Sequence, residues 1–289
     1  MSPKFKSLLT RTISGAVFVT LVVGSFFLPS YYQFILFTVF AAIALSEYIR
    51  ITESSGIKVQ KIMCAMIVVM VIEGGYIEST TEISWIIAML LMLAVPVVEL
   101  FKKDAVQPFT NIAHTFLPIF WIAIPFAMAG ITFSIIGHAE VVLAVFLLIW
   151  ASDTFAYCAG SLFGKHKLLE RISPKKTWEG SIISAVLTCG LAVGLAFVPY
   201  FNKGYLDHFS TPGKVLVWIG FALIVIVAGT FGDLIESMFK RSYGVKDSGN
   251  IMPGHGGMLD RFDSFLLAMP FCFIYWMLLA FVDYGYSVL

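Results

Sequence analysis

Polar residues are sparse along this chain and gather in short clusters, leaving apolar blocks of about 18 to 25 residues between them, the length a helix needs to cross a bilayer. Within a block the apolar positions do not alternate with polar ones at a period of 3.6 or 2.0. The blocks predict nine membrane-spanning helices over 11–29, 32–50, 61–78, 83–101, 109–132, 139–162, 178–200, 215–238 and 264–284. Pro118 and Pro125 fall inside the fifth and predict a break there. Alternating segments of strand length, which a transmembrane barrel requires, are missing. The first block follows Lys4, Lys6 and Arg11 and so mimics a signal peptide. It carries no small-x-small cleavage site and is long enough to span, so it reads as a retained first helix. The expected fold is an all-α polytopic integral membrane protein.

The loop charges set the orientation. With nine alternating spans, all but two of the 19 Lys and Arg residues fall on the N-terminal side, the exceptions being Lys203 and Lys214. The positive-inside rule then places the N-terminus in the cytoplasm and the C-terminus outside, as in a multi-pass protein of the inner membrane. Two cytoplasmic loops, 163–177 and 239–263, are long and polar. Spans 7 and 8 form an out-and-back excursion between them, so both loops emerge on one face. No internal repeat, low-complexity tract or Pro/Ser-rich linker appears. The chain reads as one integral domain over 1–289, with 1–135 as a helical scaffold offering dimer contacts and 136–289 carrying the catalytic helices and loops.

Composition agrees. The chain is 59% hydrophobic with a mean hydropathy of +0.89, and 13% of its residues are charged, against roughly 25% in soluble domains. A net charge of +1 offers no bulk attraction for nucleic acid, which is excluded as a partner. Cys64, Cys158, Cys189 and Cys272 form no C-x-x-C pair and lie in or beside apolar blocks, so they read as small buried hydrophobes rather than a disulfide frame or zinc site.

Against this background the polar clusters stand out. Span 8 ends in GTFGDLIESMFKRS, where Asp233, Glu236 and Lys240 share one helix face. The 18 uncharged residues before Asp233 cover about 27 Å at 1.5 Å each, which brings Asp233 to lipid-headgroup depth. An acid there is costly and marks a candidate site; the competing account is a helix end with an i,i+4 Glu236–Lys240 pair. Asp153 lies well inside span 6 without a charged neighbour on either adjacent turn, and is expected to face the bundle interior. A carboxylate hydrogen-bonded to span 8 for packing alone is its alternative. In FGKHKLLERISPKKTWEG, Ser173-Pro174 reads as a helix start, with Lys175 and Lys176 in the first turn. Cations oppose the dipole there unless an anion docks on the free N–H groups. On the lysine count alone, an ordinary positive-inside loop is the better account.

The densest cluster is SMFKRSYGVKDSGNIMPGHGGMLDRFDS, residues 237–264. Gly254, Gly256 and Gly257 allow a tight turn and close approach of a ligand. Asp260 and Asp263 share a face at i, i+3 and suit a divalent ion with oxygen ligands, whereas one histidine, His255, without nearby cysteines argues against zinc. Together with Lys240, Arg241, Arg261 and the Asp233 face, the cluster suggests a cation-plus-phosphate site for phosphoryl or nucleotidyl chemistry.

At these residues the chain resembles the bacterial phosphatidate cytidylyltransferases, or CDP-diglyceride synthases. Ser237, Lys240-Arg241, Lys246-Asp247, His255-Gly256-Gly257 and Asp260-Arg261-Phe262-Asp263 fall at the spacings of that family's signature, with Met252 replacing its usual Leu, Ile or Phe. The resemblance extends to Asp153 with the following FAY, to ISPKKTWEG (172–180) and to GDLIES (232–237), and more loosely to Arg11 and the SEY at 46–48. It implies the reaction CTP + phosphatidate → CDP-diacylglycerol + pyrophosphate, magnesium dependence, a second ion such as potassium, and a nine-helix homodimer. It also implies that Asp233, Asp260 and Asp263, with Glu236 and Asp153 beside them, are metal-linked. By the same resemblance Lys240, Arg241, Arg261, His255 and Asp247 belong to the catalytic set, and Ser173, Lys175, Lys176, Ser237, Lys246, Gly256 and Gly257 to phosphate binding. Rival readings are a CTP-dependent polyprenol kinase, a CDP-archaeol synthase and, from another class, a secondary transporter. The last is expected to show midplane polar sites and inverted repeats.

Overall fold

A computed structural model describes residues 3–103, 105–202, 206 and 209–284, with the side chains of 3–8, 135 and 282–284 left out. Lys203 lies outside the described residues. Each apolar block is helical: α1 (Pro3–Ser25), α2 (Ser30–Glu53), α3 (Lys61–Tyr76), α4 (Thr81–Leu100), α5 (Pro108–Pro118), α6 (Ile124–Gly130), α7 (Ala139–Phe163), α8 (Trp178–Leu195), α9 (Thr211–Ser242) and α10 (Leu259–Tyr284). Among the described residues, seven helices or joined helical runs are long and apolar enough to cross a membrane, and Leu9–Ser25 is a shorter apolar helix. Large apolar side chains such as Leu100, Val106, Phe109 and Phe281 lie more than two-thirds exposed. Such surface is costly in water and at home in lipid. The chain is an all-α polytopic membrane protein.

Three expectations are corrected. Pro118 and Pro125 do not break the fifth span: π turns at Ile119–Ala123 and Ile131–Ile135 carry the helical run through 108–135. The Ile119–Ala123 turn lies between the two prolines, whose missing N–H groups leave the regular α register short of donors there. The lysines of 172–180 do not lie in a helical turn. Ser173–Thr177 forms strand β2, antiparallel to β1 (Lys167–Leu169), and α8 begins only at Trp178. Pro174 drives Ser173 into extended backbone, and Thr177 supplies the N-cap, its Oγ1 accepting from the Gly180 N–H at 3.3 Å. The dipole conflict foreseen for Lys175 and Lys176 therefore never arises. Finally, only Cys64 and Cys272 are buried; Cys158 is exposed and Cys189 half-buried, on helix faces that packing leaves open.

The chain divides into two compact units. The first comprises 1–139 and 238–263. Its core holds Phe18, Phe37, Phe40, Phe126 and Phe262, with Phe126 and Phe262 ring centroids 5.0 Å apart. Phe239, just inside this unit at the end of α9, stacks on Tyr48 of α2 at 5.2 Å, and the Tyr48 hydroxyl lies 2.7 Å from His114 Nδ1. The loop between α9 and α10 is thus held at both ends by buried aromatic rings. The second unit comprises 140–237 and 264–289. There Phe146 of α7 stacks on Phe265 of α10 at 4.7 Å. Ser184 of α8 donates to the Ser152 carbonyl of α7 at 2.7 Å, and Trp218 of α9 donates to Asn202 at 3.0 Å.

Candidate functional site

In the first unit the polar cluster forms a closed loop around two buried carboxylates. Gly254 and Gly256 adopt left-handed φ angles of +78° and +85°, which fold 252–257 into a tight turn closed by Met252 N–H donating to the Gly256 carbonyl at 3.1 Å. Asp260, in the first turn of α10, reaches back under this turn. Its Oδ2 accepts from Gly257 N–H at 2.7 Å and Ser248 N–H at 3.0 Å, and its Oδ1 accepts from Lys240 Nζ at 2.6 Å. Lys240 and Asp260 are 8% exposed each, so this is a buried ion pair with further hydrogen bonds on the carboxylate.

The second carboxylate is Glu47 of α2, 5% exposed. It accepts from Met258 N–H and Leu259 N–H at 2.9 Å each and from Ser248 Oγ at 2.8 Å. Those amides are free donors at the start of α10, where negative charge also favours the helix dipole. Glu47 was not identified from the sequence, beyond the loose SEY match. Its signal was an acid lodged within an apolar block, beside Arg50 one turn on.

His255 Nδ1 lies 2.8 Å from Ser14 Oγ, whose hydroxyl is also 3.1 Å from the Pro253 carbonyl. Burial, then the Arg261 and Arg11 guanidinium groups, hold the His255 imidazole below its ordinary pKa and therefore neutral near pH 7. Arg241 donates to the Val245 carbonyl at 2.8 Å and is exposed, as are Lys246, Asp247 and Arg261. Asp263 is half-buried, one turn past Asp260.

In the second unit, Asp153, Ser173, Lys175, Lys176, Thr177 and Asp233 line a cavity of about 320 Å³. Lys176 Nζ is 2.6 Å from Asp233 Oδ2, and Ser237 Oγ donates to Asp233 Oδ1 at 3.2 Å. The hairpin brings Lys176 to Asp233; Asp153 is exposed to the cavity rather than sealed in helix packing. Glu236 and Ser237 are buried on α9. The arrangement can take up an anion on the two lysines while carboxylates stand by to balance them.

The carboxylates of both units offer hard oxygen donors, of the kind magnesium prefers. Among the described residues no three His, Cys, Asp or Glu side chains gather as a ready metal cage.

The model of the cytidylyltransferase family matches residues 9–279. Over 129 residues the chain is 49% identical to a phosphatidate cytidylyltransferase of Staphylococcus aureus (strain COL), covering 45% of this chain and 46% of that protein. The alignment thus spans about half the length of that relative. A phosphatidate cytidylyltransferase of Staphylococcus haemolyticus is 34% identical over 235 residues, 80% of this chain and 84% of the relative. One of Haemophilus influenzae is 34% identical over 188 residues, 65% and 63% of the two chains. With nearly its whole length matched, the chain belongs to the cytidylyltransferase family.

Proposed function

We propose that this chain transfers the cytidylyl group of CTP to phosphatidate, forming CDP-diacylglycerol and pyrophosphate. It works at the cytoplasmic face of the inner membrane as a nine-span homodimer with an inside N-terminus. The observation that carries the reading is the Lys176–Asp233 pair, flanked by Lys175, on the wall of the second-unit cavity. An incoming phosphate can exchange with Asp233 on Lys176, and the freed carboxylate is then available to a cation. The charge asymmetry of the loops supports the orientation.

In the proposed step a phosphatidate oxygen forms a bond to the α-phosphorus of CTP. The bond from that phosphorus to the bridging oxygen breaks, and pyrophosphate leaves with the electron pair. A phosphate monoester has its second pKa near about 6, so the nucleophile is already anionic at neutral pH and needs no general base. The barrier is repulsion between anions, of order 4 kcal/mol per unit-charge pair at about 4 Å and an effective dielectric near 20. Lys175 and Lys176 offset it at the second-unit cavity, and the first unit carries Lys240, Arg241 and Arg261 beside its glycine turn. Neutral His255 holds the 252–257 turn through Ser14. Asp233 in the second unit, and Asp260 and Asp263 in the first, are the carboxylates that would hold magnesium; it and a second ion such as potassium would supply further neutralisation of phosphate charge when bound.

Purified protein given phosphatidate and CTP labelled at the α-phosphate should yield labelled CDP-diacylglycerol and unlabelled pyrophosphate. In a parallel sample with γ-labelled CTP and an added polyprenol, transfer of label to the polyprenol, with no CDP-diacylglycerol formed in the first sample, overturns the assignment.

A further inference from the structure

Ser248 has no solvent exposure, and each of its polar groups meets a different partner. Its N–H donates to Asp260, its hydroxyl donates to Glu47, and its carbonyl accepts from Arg50. Glu47 and Arg50 are three residues apart on α2 and therefore share a helix face. One helix face grips a single serine from both sides, and that serine's amide points at the carboxylate paired with Lys240.

The fit leaves no slack. A Cβ on Gly257 would stand 2.4 Å from Glu47 Oε2, and one on Gly249 2.3 Å from Glu47 Oε1. Glu47 also takes the Met258 and Leu259 amides at the start of α10, so it fixes the backbone on both sides of the glycine turn. Asp260 uses the remaining donors, Gly257 and Ser248. Rotation of Asp260 requires Ser248 or Gly257 to move, and Glu47 holds the segments that carry both.

We infer that Glu47, acting through Ser248 and the α10 amides and assisted by Arg50, is a positioning residue that sets the orientation of Asp260. The inference rests on the cytidylyl-transfer reading only for its kinetic consequence; the clamp itself concerns Glu47, Ser248 and α10 alone. Glu47→Gln keeps the shape but replaces one acceptor oxygen by an NH2 group facing backbone donors. A loss of alignment of this kind typically costs roughly 10- to 100-fold in rate.

The test compares full-length parent, Glu47→Gln and Ser248→Ala, each purified in lipid nanodiscs. Amide hydrogen exchange, measured without substrate or metal, should speed up about tenfold or more at 248 and 257–259 in Glu47→Gln and remain as in the parent in α7 and α8. In the same samples kcat should fall roughly 10- to 100-fold with KM for CTP within about twofold, and the magnesium concentration for half-maximal rate should rise. Ser248→Ala, which removes only the hydroxyl link, should shift each quantity in the same direction by less. Unchanged exchange in Glu47→Gln overturns the clamp. Faster exchange with unchanged kcat and magnesium dependence overturns the positioning role and leaves Glu47 a structural anchor. Should Glu47→Gln fail to fold, Ser248→Ala decides by the same readouts. A parent that makes no CDP-diacylglycerol defeats the proposed function instead, and the exchange result still decides the clamp.

Discussion

Replacing Lys240 by methionine tests the buried pair at the heart of the first unit. The two side chains are 10% and 6% exposed and meet at 2.6 Å. Lys240→Met preserves the apolar stem but strands the Asp260 carboxylate away from water. Removing one partner of a buried pair costs about 3–5 kcal/mol, because the remaining charge loses its counter-ion without regaining hydration. Asp260 keeps the Ser248 and Gly257 N–H donors, which places the expectation at the lower end, about 3 kcal/mol, or roughly a hundredfold in the folding equilibrium. Adding Asp260→Asn removes the stranded charge and should recover at least half of the loss, since the amide oxygen still accepts one backbone N–H. Unfolding in mixed micelles titrated with a denaturing detergent gives both values. The reasoning fails if Lys240→Met lies within about 0.5 kcal/mol of the parent, or if the double variant is as unstable as the single one.

Gly257→Ala would put a methyl group 2.1 Å from Ser248 Oγ, forcing apart the Glu47 contacts; a loss of at least about 2 kcal/mol is expected in the same unfolding assay, and a neutral result would show that the turn can shift freely. Lys176→Met should lower kcat/KM by about 10²- to 10³-fold, while stability changes by less than about 1 kcal/mol because its pair with Asp233 is a quarter exposed. For His255 the folded-state pKa is lowered, so below about pH 6.5 the unfolded chain binds the proton more readily. Stability should fall as pH drops through that value toward the folded pKa, and His255→Gln should flatten this part of the profile of midpoint against pH.

The helical fold was legible in the sequence because bilayer thickness imposes a length on every apolar block, and length survives without knowledge of neighbours. The site candidates were singled out for different reasons: Asp233 by charge at a costly depth, Lys240 by sharing its helix face, Lys176 by its place after Ser173-Pro174, and Asp260 by its i, i+3 spacing with Asp263. Local rules misread 172–180 because Ser-Pro suits both a helix start and an extended strand, and the choice fell to hairpin pairing with 167–169. They misread Pro118 and Pro125 because a shift into π register costs less than breaking a packed helix. Partnerships needed the tertiary structure. Lys240 finds Asp260 20 residues away, and Glu47 finds Ser248 across 201. Which donor meets a buried carboxylate depends on which backbones approach closely enough to exclude water, and no spacing along the chain encodes that distance.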